Sequence, residues 1–132
     1  MLKRLLETGF LKAQAANPKH DQWKLAERKA RILDREGIFS IAIQIKPKIE
    51  LNETLLWLRK ATLVMAAYDG AQDCSLQLES DVWLLWRYYD EEIGEKELPQ
   101  NVVSHLAIAQ YLEKGFKKKV EAKRNFVMRM RT

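Results

Sequence analysis

A single cysteine, Cys74, stands among the 132 residues, so no internal disulfide can form. Two histidines, His20 and His105, add too few ligands to complete the tetrahedral set of a structural zinc site. The five glycines stand apart, none at the spacing of a G-x-G-x-x-G or G-x-x-x-x-G-K loop. That removes the backbone cradle for phosphates and, with it, nucleotide hydrolysis. No apolar run approaches the ~18 residues of a membrane span. The opening Met1-Leu-Lys-Arg-Leu-Leu-Glu7 has neither the apolar centre nor the small-residue cleavage site of a signal peptide. A reducing cytoplasm is the expected location. No internal repeat or low-complexity segment is present.

What is present is an ordinary globular composition, 47% hydrophobic and 31% charged, enough for one core and one domain. The net charge of +5 is unevenly placed. Residues 1–36 carry nine basic and five acidic groups, residues 37–116 seven and twelve, and residues 117–132 seven and one. An acidic middle therefore lies between a basic N-terminal part and a basic tail. Lys117, Lys118, Lys119, Lys123, Arg124, Arg129 and Arg131 are the tail's candidate contacts for nucleic acid or an acidic protein.

The stretch from Asn52 to Phe116 organises the chain. Asn52 is a capping residue, and seventeen residues without Gly or Pro follow, so a helix is expected. Leu55, Leu56, Trp57, Leu58, Leu63 and Val64 spread around it, predicting a helix covered on most sides. Asp69-Gly70 is expected to end it with glycine in the left-handed conformation. Cys74 to Glu79 alternates, Ser80-Asp81 turns, and Val82 to Tyr89 follows as a second strand, giving a hairpin. Val82, Leu84, Trp86 and Tyr88 point one way, and Trp83, Leu85, Arg87 and Tyr89 the other. Both faces want cover, one from this chain's helices and the other from a second layer or subunit. The apolar and aromatic residues Val82, Trp83, Leu84, Leu85, Trp86, Tyr88 and Tyr89 are accordingly the candidate interface. Pro99 marks the start of a closing helix whose stripe is Val102, Leu106, Ala109, Leu112 and Phe116.

Earlier in the chain, residues 2–16 and 21–36 have apolar residues at spacings of three and four and predict two helices, separated by Asn17-Pro18. Gly37 is read as the stop of the second. Ile38 to Ile45 alternates Phe39, Ile41, Ile43 and Ile45 against Ser40, Ala42 and Gln44, and predicts a strand. After the closing helix, Lys117 to Arg124 is expected to extend it, and Phe126 to Arg131 to form a short edge strand or a disordered tail. The fold class is therefore α+β, a small antiparallel sheet packed against helices, with two helices in front. The alternative is a ferredoxin-like βαββαβ arrangement that takes 126–131 as its last strand.

Reaction chemistry is missing. A nucleophile needs a base and an orienting group. Cys74 is read as a buried small hydrophobe and His105 as a surface or half-buried helix residue. Asp90, Glu91, Glu92, Glu95 and Glu97 are read as a solvated loop rather than a metal site. No enzyme, no cofactor and no metal are expected.

The segment Leu55-Leu56-Trp57-Leu58 through Ala66-Ala67, the hairpin Cys74 to Glu79 with Val82-Trp-Leu-Leu-Trp86, and the helix Asn101 to Phe116 together resemble the second half of the small effector chaperones of bacterial type III secretion systems. That family opens with one helix and three strands, where the periodicity here predicts two helices and one strand. The resemblance implies a dimer, with itself or with a second small chaperone. The dimer holds an unfolded N-terminal segment of a secreted effector along apolar patches and strand edges, without ATP. The alternative expectation is a nucleic-acid-binding or assembly module that uses the basic tail.

Overall fold

The computed structural model describes residues 1–115, with Phe116 and everything after it outside the described residues. The chain runs α1 (Leu2–Thr8), β1 (Leu11–Ala13), β2 (Trp23–Leu25), β3 (Arg28–Arg35), β4 (Ile38–Ile45), α2 (Thr54–Ala67), β5 (Cys74–Glu79), β6 (Val82–Tyr89) and α3 (Glu97–Glu113). The strands form one antiparallel sheet in the order β1-β2-β3-β4-β6-β5. It is an α+β fold, as the sequence predicts, and strand β4 and the hairpin have the expected bounds.

The N-terminal part is a correction. Residues 2–16 form only the seven residues of α1, because Gly9 (φ 82°) takes the left-handed conformation and turns the chain into β1. Residues 21–36 form no helix at all; they are β2 and β3. Trp23, Leu25 and Ala30, buried at helix-compatible spacings, also satisfy a strand alternation once Ala26-Glu27 makes a two-residue turn. Ala26 holds a positive φ of 53° there, with no Gly or Asn to advertise it. The turns Glu36-Gly37 (φ 49° and 81°) and Ser80-Asp81 (φ 49° and 65°) are left-handed at both central positions, the geometry that matches strand twist. Gly37 is thus a hairpin residue and not a helix stop.

The ferredoxin-like alternative is overturned. β4, β6 and β5 with α2 between β4 and β5 do make its split β-α-β unit, but the place beside β4 that its last strand needs is taken by β3. The expected extension of the last helix and the strand over 126–131 lie outside the described residues. So does Phe116.

All three helices feed one core. Leu5 of α1, Trp57 and Ala61 of α2, and Leu98, Val102, Ile108, Ala109 and Leu112 of α3 pack with Phe39, Ile41, Ile43, Ile45, Leu85 and Tyr89. The register Phe39↔Tyr89, Ile41↔Arg87, Ile43↔Leu85 and Ile45↔Trp83 puts these strand residues on one face, the helix face. Trp57 ties the layers: its ring lies 5.0 Å from that of Trp83, and its Nε1–H donates to the Leu112 carbonyl at 2.8 Å. At the end of α2 the expected left-handed glycine is absent. Tyr68 is extended there (φ −99°, ψ 118°), and a short 3-10 turn, Asp69–Ala71, follows.

Candidate interaction surfaces

The face of β6 that meets the helices carries the half-buried Trp83 and the buried Leu85 and Tyr89. This half of the predicted interface is core. Tyr89 and His105 form its polar centre: the Tyr89 hydroxyl is 3.0 Å from His105 Nδ1, and His105 Nε2 is 2.9 Å from the Leu85 carbonyl. A carbonyl only accepts, so Nε2 bears the proton and Nδ1 accepts from Tyr89. Burial holds His105 well below its ordinary range, to about 4, with the nearby charges of Arg87 and Arg28 adding to the effect. The same burial pushes Tyr89 up. His105 is thus fully buried, a correction to its expected place at or near the surface, and both its nitrogens are occupied by structural partners.

Beside it, Arg87 is buried as well. Its Nη1 donates to the Gly70 carbonyl at 2.6 Å and lies 3.7 Å from Cys74 Sγ, while its guanidinium sits 5.9 Å from the centre of the Tyr89 ring. Cys74 is half-buried rather than buried as the sequence suggests, and burial raises its pKa despite Arg87. A thiol shifted that way is a poor nucleophile at neutral pH. Among the described residues no group of three or more His, Cys, Asp and Glu is placed to hold a metal ion.

The open surfaces are elsewhere. Of α2, only Trp57 and Ala61 are buried; Leu55, Leu56 and Leu63 are 70%, 52% and 64% exposed. The sequence predicts a helix covered on most sides, and this chain covers one. At the C-terminal end of α2 a groove of about 480 Å³ runs between α2 and α3, lined by Val64, Met65, Tyr68, Ala107, Ile108 and Tyr111.

The second open surface is the outer face of the sheet, turned away from the helices. It presents Val82, Leu84, Trp86 and Tyr88 from β6 and Ser40, Ala42 and Gln44 from β4. Ala42 and Leu84 are buried there with no helix among the described residues above them. Their cover is side chains: Arg31 of β3 reaches across β4 and β6 to Glu79 of β5 (2.8 Å), and Trp86 Nε1–H donates to Gln77 Oε1 at 2.7 Å. Val82 and Trp86 are half-buried and Tyr88 is exposed. The sheet's two edges, β1 and β5, each have one side without a partner strand among the described residues.

The tail residues Lys117, Lys118, Lys119, Lys123, Arg124, Arg129 and Arg131 lie outside the described residues. Sequence reasoning missed a different basic group. The pairs Lys12↔Lys24 and Lys24↔Lys29 set three lysines side by side across β1, β2 and β3, a relation legible only once the registers are known. No helix among the described residues is long and apolar enough to cross a membrane. No family model, curated protein or solved structure matches the chain.

Proposed function

We propose that this protein is a non-enzymatic chaperone of the type III secretion kind, a cytoplasmic subunit that pairs with a second small subunit and holds an unfolded segment of a secreted effector. The observation that carries the reading is the element order. A single helix is followed by strands, then by α2, the β5–β6 hairpin and α3. One helix and four strands stand before α2, nearer to the family's one helix and three strands than the two helices and one strand that the periodicity predicts. The bare Leu55, Leu56 and Leu63 of α2 supply apolar surface for a second subunit. The free edges of β1 and β5 supply backbone groups for an extended segment, with Leu78, 52% exposed on β5, beside one of them.

Affinity capture from the cells that make the protein tests this. The expected result is one dominant protein with an unstructured N-terminal segment, and that segment alone binds the purified chain. Capture of no protein, or of one whose isolated N-terminal segment does not bind, contradicts it.

A further inference from the structure

Like charges directly opposite one another across strands destabilise a sheet, yet Lys12, Lys24 and Lys29 stand in one row at strand spacings of about 4.8 Å. The registers place Arg31 and Arg35 on the same outer face, paired with Ala42 and Ile38. Two carboxylates fall on this face, both at the β5 side: Glu79, engaged by Arg31, and Asp73, just before β5. Among the described residues none of the three lysines forms a salt bridge. The lysine row is in line with Gln44 of β4 and Leu84 of β6; two and four residues further along β6 on the same face stand the half-buried Trp86, its Nε1–H on Gln77, and the exposed Tyr88.

From this juxtaposition we propose that the outer face of the sheet binds a single-stranded polynucleotide. The lysine row with Arg35 takes the phosphates, and Trp86 and Tyr88 take the bases. A basic track beside aromatic rings is what a strand with exposed base faces requires. An acidic peptide would use the cations and leave the rings without a role. A duplex hides its base faces and would engage the lysines alone. The chaperone reading uses α2 and the strand edges and shares with this face only β1, which carries Lys12.

The test uses the full chain and a 5′-fluorescein oligothymidylate of about 12 nucleotides, a length within the range one such face covers. Binding is read by polarisation over a salt series. The triple substitution Lys12→Gln, Lys24→Gln, Lys29→Gln is expected to weaken binding at least tenfold at low salt. It should reduce the salt slope by about 2, at roughly 0.7 per phosphate contact on a single strand. Tyr88→Leu is expected to weaken binding by about tenfold. The tail substitution Lys117→Gln, Lys118→Gln, Lys119→Gln is expected to leave the Tyr88 effect intact. The corresponding Lys→Arg triple keeps the charges and should bind as the parent does; its failure to bind overturns the proposal, whatever the Gln variant's stability. A slope unchanged by Lys→Gln also overturns it. So does displacement of the oligonucleotide by polyglutamate of equal charge together with a neutral Tyr88→Leu, which would assign the face to an acidic peptide.

Discussion

Arg31 on β3 and Glu79 on β5 form an ion pair at 2.8 Å although β4 and β6 lie between their strands. The pair spans the outer face over β4 and β6, where Arg31's cross-strand neighbour Ala42 and the nearby Leu84 are buried. Both side chains are partly exposed, so the Coulomb part is small, on the order of 0.5 kcal/mol, and screened by salt. Arg31→Ala should nonetheless lower stability by about 1 kcal/mol, because it also uncovers apolar surface. Urea denaturation in low and high salt separates the two parts: the loss on Arg31→Ala should persist in high salt, and the loss on Glu79→Gln should fade.

His105 sets a pH dependence. Its folded pKa is depressed to about 4 from 6.5 by burial. The stability it contributes is therefore fully present above 6.5 and is lost progressively as pH falls toward about 4, where the unfolded chain takes up a proton the folded chain refuses. At ~1.4 kcal/mol per unit the full loss is on the order of 3 kcal/mol. Denaturation midpoints measured between neutral pH and pH 4 should fall across that window, and His105→Asn should flatten the fall. A midpoint that does not move would place a charged imidazole in the core, against the geometry.

Substitutions on α2 should divide by face. Trp57→Ala empties a core position and removes the bond to the Leu112 carbonyl, and should cost about 3–5 kcal/mol. Leu56→Glu and Leu63→Glu touch bare positions and should leave thermal stability of the isolated subunit nearly unchanged. They should abolish association in sedimentation equilibrium. A wild-type chain that sediments as a monomer at micromolar concentration, with or without its captured partners, would remove the dimer from the account.

Much of the fold was legible wherever alternation was bounded by turn residues. Ile38 to Ile45 ends against Pro47, and Ser80-Asp81 separates two alternating runs, so both strands and the hairpin read to the residue. The segment 21–36 did not, because Trp23, Leu25, Ala30 and Ile32 fit both periods and the turn that decides between them sits on Ala26, a residue with no turn preference. The break at the end of α2 falls at Tyr68 and not at a left-handed glycine, and Gly70 serves for close approach, since a Cβ there would lie 2.6 Å from the Tyr68 ring. Of the candidate interface, the two-faced character of Val82 to Tyr89 was readable. Which face the helices would cover was not, since that depends on the register with β4. The lysine row was invisible for the same reason: positions 12, 24 and 29 have no relation in sequence and become neighbours only through two strand pairings.

In the proposed function an extended protein segment is held by apolar burial and strand addition rather than by charge. The most direct measurement is a titration of the captured client's N-terminal segment against the full chain and against Leu78→Glu, from about 0.1 M to about 1 M salt, over which the screening length falls from roughly 10 to 3 Å. The expected result is a dissociation constant that changes little with salt for the parent chain and binding that is lost in Leu78→Glu at every salt concentration. Steep weakening with salt, together with undiminished binding by Leu78→Glu, would contradict it.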